Sequence, residues 1–135
     1  MKRLLTRSIS LLTLALATMF LTGCATSLLQ PKPQINTVVL ANNSNTTAHE
    51  VTILVEAFGG KFYCGTILAG TQCSTRFPAR EYEGNPVTVS WIQNGITHET
   101  APFVVPLGET TSEKPMTALL TLMTDSSVDA RLEVR

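Results

Sequence analysis

Apolar and polar residues alternate in short runs from Ile35 to the end of the chain, and turn-forming residues separate these runs. Alternation with a period of two is typical of a β-strand that has one face in a core, whereas a helix repeats every three to four residues. None of the runs has a convincing helical repeat. The first five runs are INTVVLA (35–41), EVTILVEAF (50–58), KFYCGTI (61–67), QCSTRF (72–77) and VTVSWIQ (87–93). The sequence therefore predicts an all-β domain.

The pair Asn94-Gly95 is the strongest hairpin signal in the chain. Both residue types tolerate the positive φ that a two-residue type I′ turn requires. Such a turn places Trp91 opposite His98, so we expect His98 to pack at the rim of the core rather than to contact a ligand. One face of this hairpin is predicted to belong to the core, namely the face with Val87, Val89, Trp91 and Ile96.

The last two runs differ in how clearly they indicate a strand. MTALLTLM (116–123) fits either a buried strand or a short helix, because periodicity cannot separate the two in a short apolar run. VDARLEVR (128–135) alternates strictly, and Asp125-Ser126-Ser127 supplies a turn before it. We interpret both runs as strands and expect the second to be a charged edge strand, which resists pairing with another sheet.

The number and spacing of the strands favour a two-sheet antiparallel β-sandwich. Residues 35–105 also resemble bacterial immunoglobulin-like modules of the CARDB-like type, in which an Asn-containing polar loop, an Ala-Gly turn and an Asn-Gly turn separate the strands. The resemblance implies an immunoglobulin-like sandwich of seven to eight strands, which would occupy residues 35–135. The chain departs from immunoglobulin domains because Trp91 follows both Cys64 and Cys73. These cysteines are also expected to be too close in sequence to bridge two sheets.

The N-terminus has the pattern of an export signal. Basic residues precede an apolar segment, residues 9–21, which has 13 residues. A transmembrane helix needs about 20 apolar residues, whereas this length suits the apolar part of a secretory signal peptide. The segment ends in LTGC (21–24), which resembles the lipobox of bacterial lipoproteins. The resemblance implies that residues 1–23 are removed and that Cys24 receives diacylglycerol and then a further acyl chain such as palmitate.

The residues after Cys24 indicate where the protein is held. Ala25 takes the place at which Asp retains many lipoproteins in the inner membrane, so the resemblance implies the outer membrane, with the domain facing the periplasm. Pro31 and Pro33 discourage helix and favour extended backbone. Residues 24–34 are therefore predicted to form a short tether.

Cys64 and Cys73 form an even pair in a chain with an export signal, which favours a disulfide. Eight residues separate them, which is too many for the redox motif C-x-x-C. A zinc site would need further ligands, and His49 and His98 are far apart in sequence. We expect a structural disulfide between adjacent strands of a hairpin, and neither a metal nor a cofactor.

Charge and motifs give little support for other classes of function. Without residues 1–23 the chain has seven basic and ten acidic side chains, a net charge of −3, which does not favour nucleic acid as a partner. The sequence contains no nucleophile elbow, zincin motif or P-loop. The densest charged cluster, AREYEG (79–84), is interpreted as a solvated loop rather than a catalytic site. The expectation is a protein that is not an enzyme.

Two functions remain. The first is a lipid-anchored module that contacts another envelope protein through polar loops, because loops on a rigid sandwich commonly carry recognition. The candidate contact residues are Asn42, Asn45, Arg80, Glu81, Tyr82 and Glu83. The alternative is a lipoprotein that binds a small ligand or a glycan, with Phe62, Tyr63 and Tyr82 as stacking surface.

Overall fold

The strands of this domain follow the alternating runs of the sequence closely. The computed structural model describes residues 32–108 and 112–134. The predicted signal segment, Cys24 and residues 25–31 of the predicted tether lie outside the described residues. The elements are β1 (Gln34–Asn42), β2 (Ala48–Val55), a 3-10 helix (Glu56–Phe58), β3 (Gly60–Ile67), β4 (Gln72–Glu81), β5 (Val87–Gln93), β6 (Ile96–Glu99), β7 (Met116–Leu122) and β8 (Val128–Glu133).

These strands form two four-stranded sheets, which confirms the predicted β-sandwich. Sheet A has the order β4-β1-β7-β8, and sheet B has the order β3-β2-β5-β6. Neighbouring strands are antiparallel except β1 and β7, which run parallel. The parallel pair arises because β6 and the residues up to Phe103 run beside β5 toward the end of the sandwich at which β1 begins, and β7 starts at that same end.

The inward-facing side chains of both sheets form one hydrophobic core. Trp91 is 2% exposed, and its ring stacks on that of His98 with 5.1 Å between the ring centres, so the predicted position of His98 beside Trp91 is confirmed. The turn is also as predicted, because Asn94 and Gly95 have φ values of 53° and 74°. Ile96 was expected in the core but is 60% exposed. It directly follows the turn on an edge strand, where no further strand covers it.

The run 116–123 contains a strand and not a helix. β7 lies between β1 and β8, and six of its seven residues are buried. Its ladder with β1 extends from Ile35 opposite Met116 to Asn42 opposite Leu122. The prediction of a charged edge strand is also confirmed, since β8 is the last strand of sheet A and its Asp129 and Arg131 are exposed.

The disulfide forms between the predicted cysteines but joins different elements from those expected. The Sγ atoms of Cys64 and Cys73 are 2.04 Å apart. Cys64 lies on β3 of sheet B and Cys73 on β4 of sheet A, so the bridge connects the edges of the two sheets. The expectation that these cysteines are too close to span two sheets was wrong, because the connection of residues 68–71 already carries the chain from one sheet to the other.

The sandwich has two distinct ends. At the end called proximal here, the Lys32 ammonium forms an ion pair with the Glu81 carboxylate, and the Tyr82 N–H donates to the Pro33 carbonyl over 2.8 Å. The last residues of the predicted tether, 32–34, therefore belong to the compact unit, which begins at Lys32. β1 then runs the length of sheet A, about 30 Å for its nine residues. The opposite end, called distal, holds the connections 43–47, 68–71, 94–95 and 123–127.

Candidate interaction surfaces

The distal end brings together four connections that are far apart in sequence. Antiparallel pairing within sheet B and the crossover between sheets place them side by side. Backbone hydrogen bonds link three of them at their bases, namely 43–47, 68–71 and 123–127. The Asn42 N–H donates to the Thr71 carbonyl over 2.9 Å, and the Asn43 N–H donates to the Leu122 carbonyl over 2.9 Å. The loops are therefore attached to one another as well as to their own strands.

Asn42 ties three segments of the distal end together from inside. Its amide nitrogen donates to the carbonyls of Thr46 and Ile67, over 2.8 and 3.0 Å. Its amide oxygen accepts hydrogen bonds from the backbone N–H of Ser44, over 3.1 Å, and from the Ser44 hydroxyl, over 2.6 Å. All donor and acceptor groups of this side chain are thus used.

Gln93 extends this polar cluster to sheet B. Its amide nitrogen donates to the Ser44 hydroxyl oxygen over 2.6 Å and to the Thr46 carbonyl over 3.1 Å. The indole N–H of Trp91 donates to the Gln93 amide oxygen over 3.3 Å. Among the described residues, no buried side-chain nitrogen or oxygen atom is without a partner. A satisfied polar network in a low-dielectric interior fixes one geometry, so the loops above it are held in place.

This network changes the list of candidate contact residues. The Asn42 side chain is 1% exposed, so it cannot meet a partner directly, and its amide groups are already engaged. Its position at the end of a strand whose alternate residues enter the core explains why it is turned inward. Asn45 is exposed on the same connection and stays a candidate.

The exposed surface of the distal end combines polar loops with one large apolar side chain. Leu68 is 58% exposed on the connection between β3 and β4. Beside that connection lies a shallow depression of about 310 Å³, lined by Ala41, Asn42, Asn43, Gly70, Thr71, Gln72 and Thr121. On the connection between β7 and β8, the Asp125 carboxylate accepts hydrogen bonds from the Ser127 hydroxyl and N–H, which lower the pKa of Asp125.

The second group of candidate residues lies at the proximal end. Arg80 and Glu81 are the last residues of β4 and not part of a loop, because β4 continues its pairing with β1 to this point. The Arg80 guanidinium lies 5.1 Å from the centre of the Phe77 ring. The hydrogen bond and the charge of Glu81 raise the pKa of Lys32. Glu83 is exposed to solvent.

Tyr82 is held between this strand end and the next segment. Its hydroxyl donates to the Val105 carbonyl over 2.5 Å, and its backbone N–H donates to Pro33. Burial of the ring raises the pKa of Tyr82. Tyr82 is therefore a part of the fold that closes the proximal end, as well as a candidate contact residue.

Beneath Tyr82 a cavity of about 80 Å³ lies between the two sheets. The lining is apolar within the sandwich, and charged or polar residues occur where the cavity opens. The lining residues are Ile35, Val38, Ile53, Val55, Phe62, Phe77, Arg80, Glu81, Tyr82, Glu83, Asn85, Val87, Val105, Ala118 and Leu120.

The two groups of candidate contact residues do not form one surface, since they occupy opposite ends of β1. The three aromatic residues considered for ligand stacking are divided in the same way. Phe62 and Tyr82 line the cavity, whereas Tyr63 faces outward and is 68% exposed. Neighbouring residues of a strand point to opposite faces, which separates Phe62 from Tyr63.

The described residues hold no group of three or more His, Cys, Asp or Glu side chains arranged for a metal ion. His49 lies on the outer face of β2, with its Nδ1 3.3 Å from the Thr66 hydroxyl oxygen. Nor does any helix within residues 32–108 and 112–134 have the length and apolar character needed to cross a membrane.

The sequence contains one signal for the distal polar cluster. Gln93 continues the inward-facing series of β5, where a polar residue requires a buried partner. The cavity had no sequence signal, because every residue around its interior also fits a filled core.

Comparison with known proteins adds little to this geometry. No protein-family model and no curated protein matches the chain. A solved structure, an NMR structure of a protein from Eubacterium rectale, aligns with 74% of this chain and 89% of its own chain, with a TM-score of 0.46 and 10% sequence identity. An alignment at that level carries no conclusion about function, and the resemblances to lipoproteins and CARDB-like modules stay expectations from the sequence.

Proposed function

We propose that this chain is a lipid-anchored lipoprotein of the cell envelope whose β-sandwich acts as a non-catalytic protein-interaction module. In this proposal Cys24 carries the lipid, the protein is held at the outer membrane facing the periplasm, and the distal end contacts another envelope protein. Nucleic acid is not the expected partner, given the net charge of −3 without residues 1–23.

The observation that carries the proposal is the construction of the distal end. The buried residues Asn42, Ser44 and Gln93 fix three of the connections to one another, and the backbone bond from Asn43 to Leu122 attaches the fourth. Preorganised loops lose little conformational entropy on binding, so they suit recognition of a protein surface. Leu68 supplies an exposed apolar group, and the neighbouring loop residues supply a polar rim.

The position of the distal end supports the same function. The chain enters the fold at Lys32, and β1 then leads to the distal loops about 30 Å away. If Cys24 anchors the chain, the eight residues from Cys24 to Lys32 reach at most about 28 Å. The proximal end would then stay within that distance of the lipid anchor, and the distal loops would lie at the end of the domain that the tether does not join.

Photo-crosslinking in living cells tests this proposal. A photoreactive amino acid is placed at Leu68 or Asn45 on the distal end, and at Tyr63 as an equally exposed control on the side of sheet B. We expect the two distal positions to capture the same envelope protein and Tyr63 to capture none. The substitution Leu68→Asp should abolish capture and reproduce the phenotype of a gene deletion without changing the amount of folded protein.

Point substitutions are preferable to loop replacement, because replacing residues 42–48 would also remove the buried Asn42 and Ser44. Capture from Glu83 but not from Leu68 or Asn45 would move the interface to the proximal end. A measurable turnover that depends on Glu81 or Glu83 would contradict a non-catalytic function.

A further inference from the structure

The cavity at the proximal end has the properties of an apolar binding site. Side chains from both sheets line it, among them Val38 and Ala118 of sheet A and Ile53 and Phe62 of sheet B. The part of the lining that lies within the sandwich is aliphatic and aromatic, and within the described residues no buried side-chain polar atom lacks a partner. Cavities with an apolar interior take up small apolar molecules.

The size of the cavity limits what can enter. Its volume is about 80 Å³, whereas a cavity of about 150 Å³ is known to accept benzene. If each methylene group needs roughly the 30 Å³ that a water molecule occupies, about three such groups fit. A narrow alkyl chain end therefore suits this space better than an aromatic ring.

At the opening of the cavity, charged side chains take the place of the apolar interior lining. Arg80, Glu81 and Glu83 lie at the opening, so a charged head group can stay in water while the chain enters. Val104 and Leu107 are exposed apolar residues on the same segment as the cavity residue Val105. A Cβ atom placed on Gly84 would lie 3.6 Å from the Val104 side chain, which puts Val104 next to the segment that covers the cavity.

We infer that this cavity binds the methyl end of the alkyl chain of a single-chain amphiphile, with the rest of the chain lying over Val104 and Leu107. A fatty acid and a lysophospholipid share this chemistry. The inference is independent of the contact proposed for the distal end, which lies at the other end of the sandwich.

The test uses the full chain in vesicles of phosphatidylethanolamine and phosphatidylglycerol. One sample receives dodecanoic acid with a diazirine near its methyl end, and a second receives a lysophospholipid with the same labelled chain. After irradiation, peptide mapping by mass spectrometry locates the adducts. We expect adducts on the residues that line the cavity in β3, β4 and β7. Labelling by the fatty acid alone identifies the free acid as the source, and labelling by both shows that the chain itself is recognised.

Two substitutions that fill the cavity make the test specific. Ala118→Leu places three additional carbon atoms in this space and should reduce labelling about tenfold. Val38→Ile adds one methylene and should reduce labelling about threefold, which gives a second measurement if Ala118→Leu does not fold. The matched control is Ala130→Leu, since Ala130 is partly buried on β8 but does not line the cavity.

Three results would overturn the inference. They are an absence of adducts, adducts confined to the exposed residues Val104 and Leu107, and cavity labelling that Ala118→Leu leaves unchanged. Flotation of the protein with the vesicles is measured in the same samples. A protein that floats without cavity labelling contradicts this inference but leaves the proposed lipid anchor intact.

Discussion

At the scale of single residues, Asn42 connects the stability of the fold to the shape of the distal end. Its side chain bonds to the connection 43–47 and to the end of β3. It nevertheless lies at the end of a strand and is followed by polar residues that suggest an ordinary exposed loop. Replacing a buried amide that uses all of its hydrogen-bonding groups lowers the stability of the fold, because each former partner is left buried without that hydrogen bond.

Asn42→Ala is expected to lower the free energy of unfolding by about 2–4 kcal/mol, because the carbonyls of Thr46 and Ile67 and the N–H of Ser44 lose a partner in a buried setting. Urea unfolding followed by Trp91 fluorescence measures this change. The neighbouring exposed residue is the control, and Asn43→Ala should alter stability by less than about 0.5 kcal/mol. A loss of under 1 kcal/mol for Asn42→Ala would show that the network is not important for stability.

Tyr82 makes the stability of the domain sensitive to alkaline pH. Burial raises the pKa of its hydroxyl in the folded state above the value in the unfolded state. The stabilisation is complete below the unfolded pKa, about 10, and is lost as pH rises through the folded pKa. We expect the free energy of unfolding to fall above about pH 10, and Tyr82→Phe to make this fall shallower. Identical slopes for the two proteins between pH 9.5 and 11 would contradict this assignment.

At the scale of elements, the disulfide and the Phe62–Phe77 ring pair connect the two sheets at one edge. The centres of the two rings are 6.1 Å apart. Phe62 lies on β3 with Cys64, and Phe77 lies on β4 with Cys73. Both β3 and β4 are edge strands of their sheets. Because these two edge strands are joined to each other, less of their backbone is exposed for pairing with another chain.

The double variant Cys64→Ala/Cys73→Ala should lose about 2.5–3 kcal/mol of stability, since the bridge closes a loop of about ten residues in the unfolded chain. Denaturant unfolding of the double variant and of the oxidised protein gives the difference. The Phe62–Phe77 pair and the core still hold the edge together, so the variant should remain folded with the same β-rich circular dichroism spectrum. An unchanged unfolding midpoint would mean that the bridge adds no stability.

The sequence was informative about elements and less so about how they meet. Alternation located the strands to within a few residues, and Asn94-Gly95 determined the register of β5 with β6, because both are local properties of the chain. The parallel pairing of β1 with β7 and the crossing of residues 68–71 between sheets depend on contacts between distant segments, so no local pattern reports them. The burial of Asn42 and the presence of the cavity also depend on contacts between distant segments, so the sequence pattern predicts neither.

At the scale of the whole molecule, the sandwich has two ends with different chemistry. The proximal end, where the chain enters at Lys32, has an apolar cavity bordered by charged residues. The distal end has fixed polar loops, Leu68 and a shallow depression. The proposed anchor at Cys24 therefore joins the fold at the end that holds the cavity, and not at the end that holds the polar loops.

The anchor can be tested on the intact chain. Cys24→Ser should prevent removal of residues 1–23 and abolish labelling by a clickable palmitate analogue, because an alcohol cannot form the thioether that the lipid requires. Two acyl chains hold a protein on a membrane firmly, whereas one holds it only marginally, so the variant should also lose its outer-membrane location. The control is Cys64→Ala/Cys73→Ala, which removes the other two cysteines and should label as strongly as the unmodified chain. Labelling that persists in Cys24→Ser would show that the lipid is attached elsewhere. Labelling that disappears in the control, while the protein is still made, would refute the anchor at Cys24.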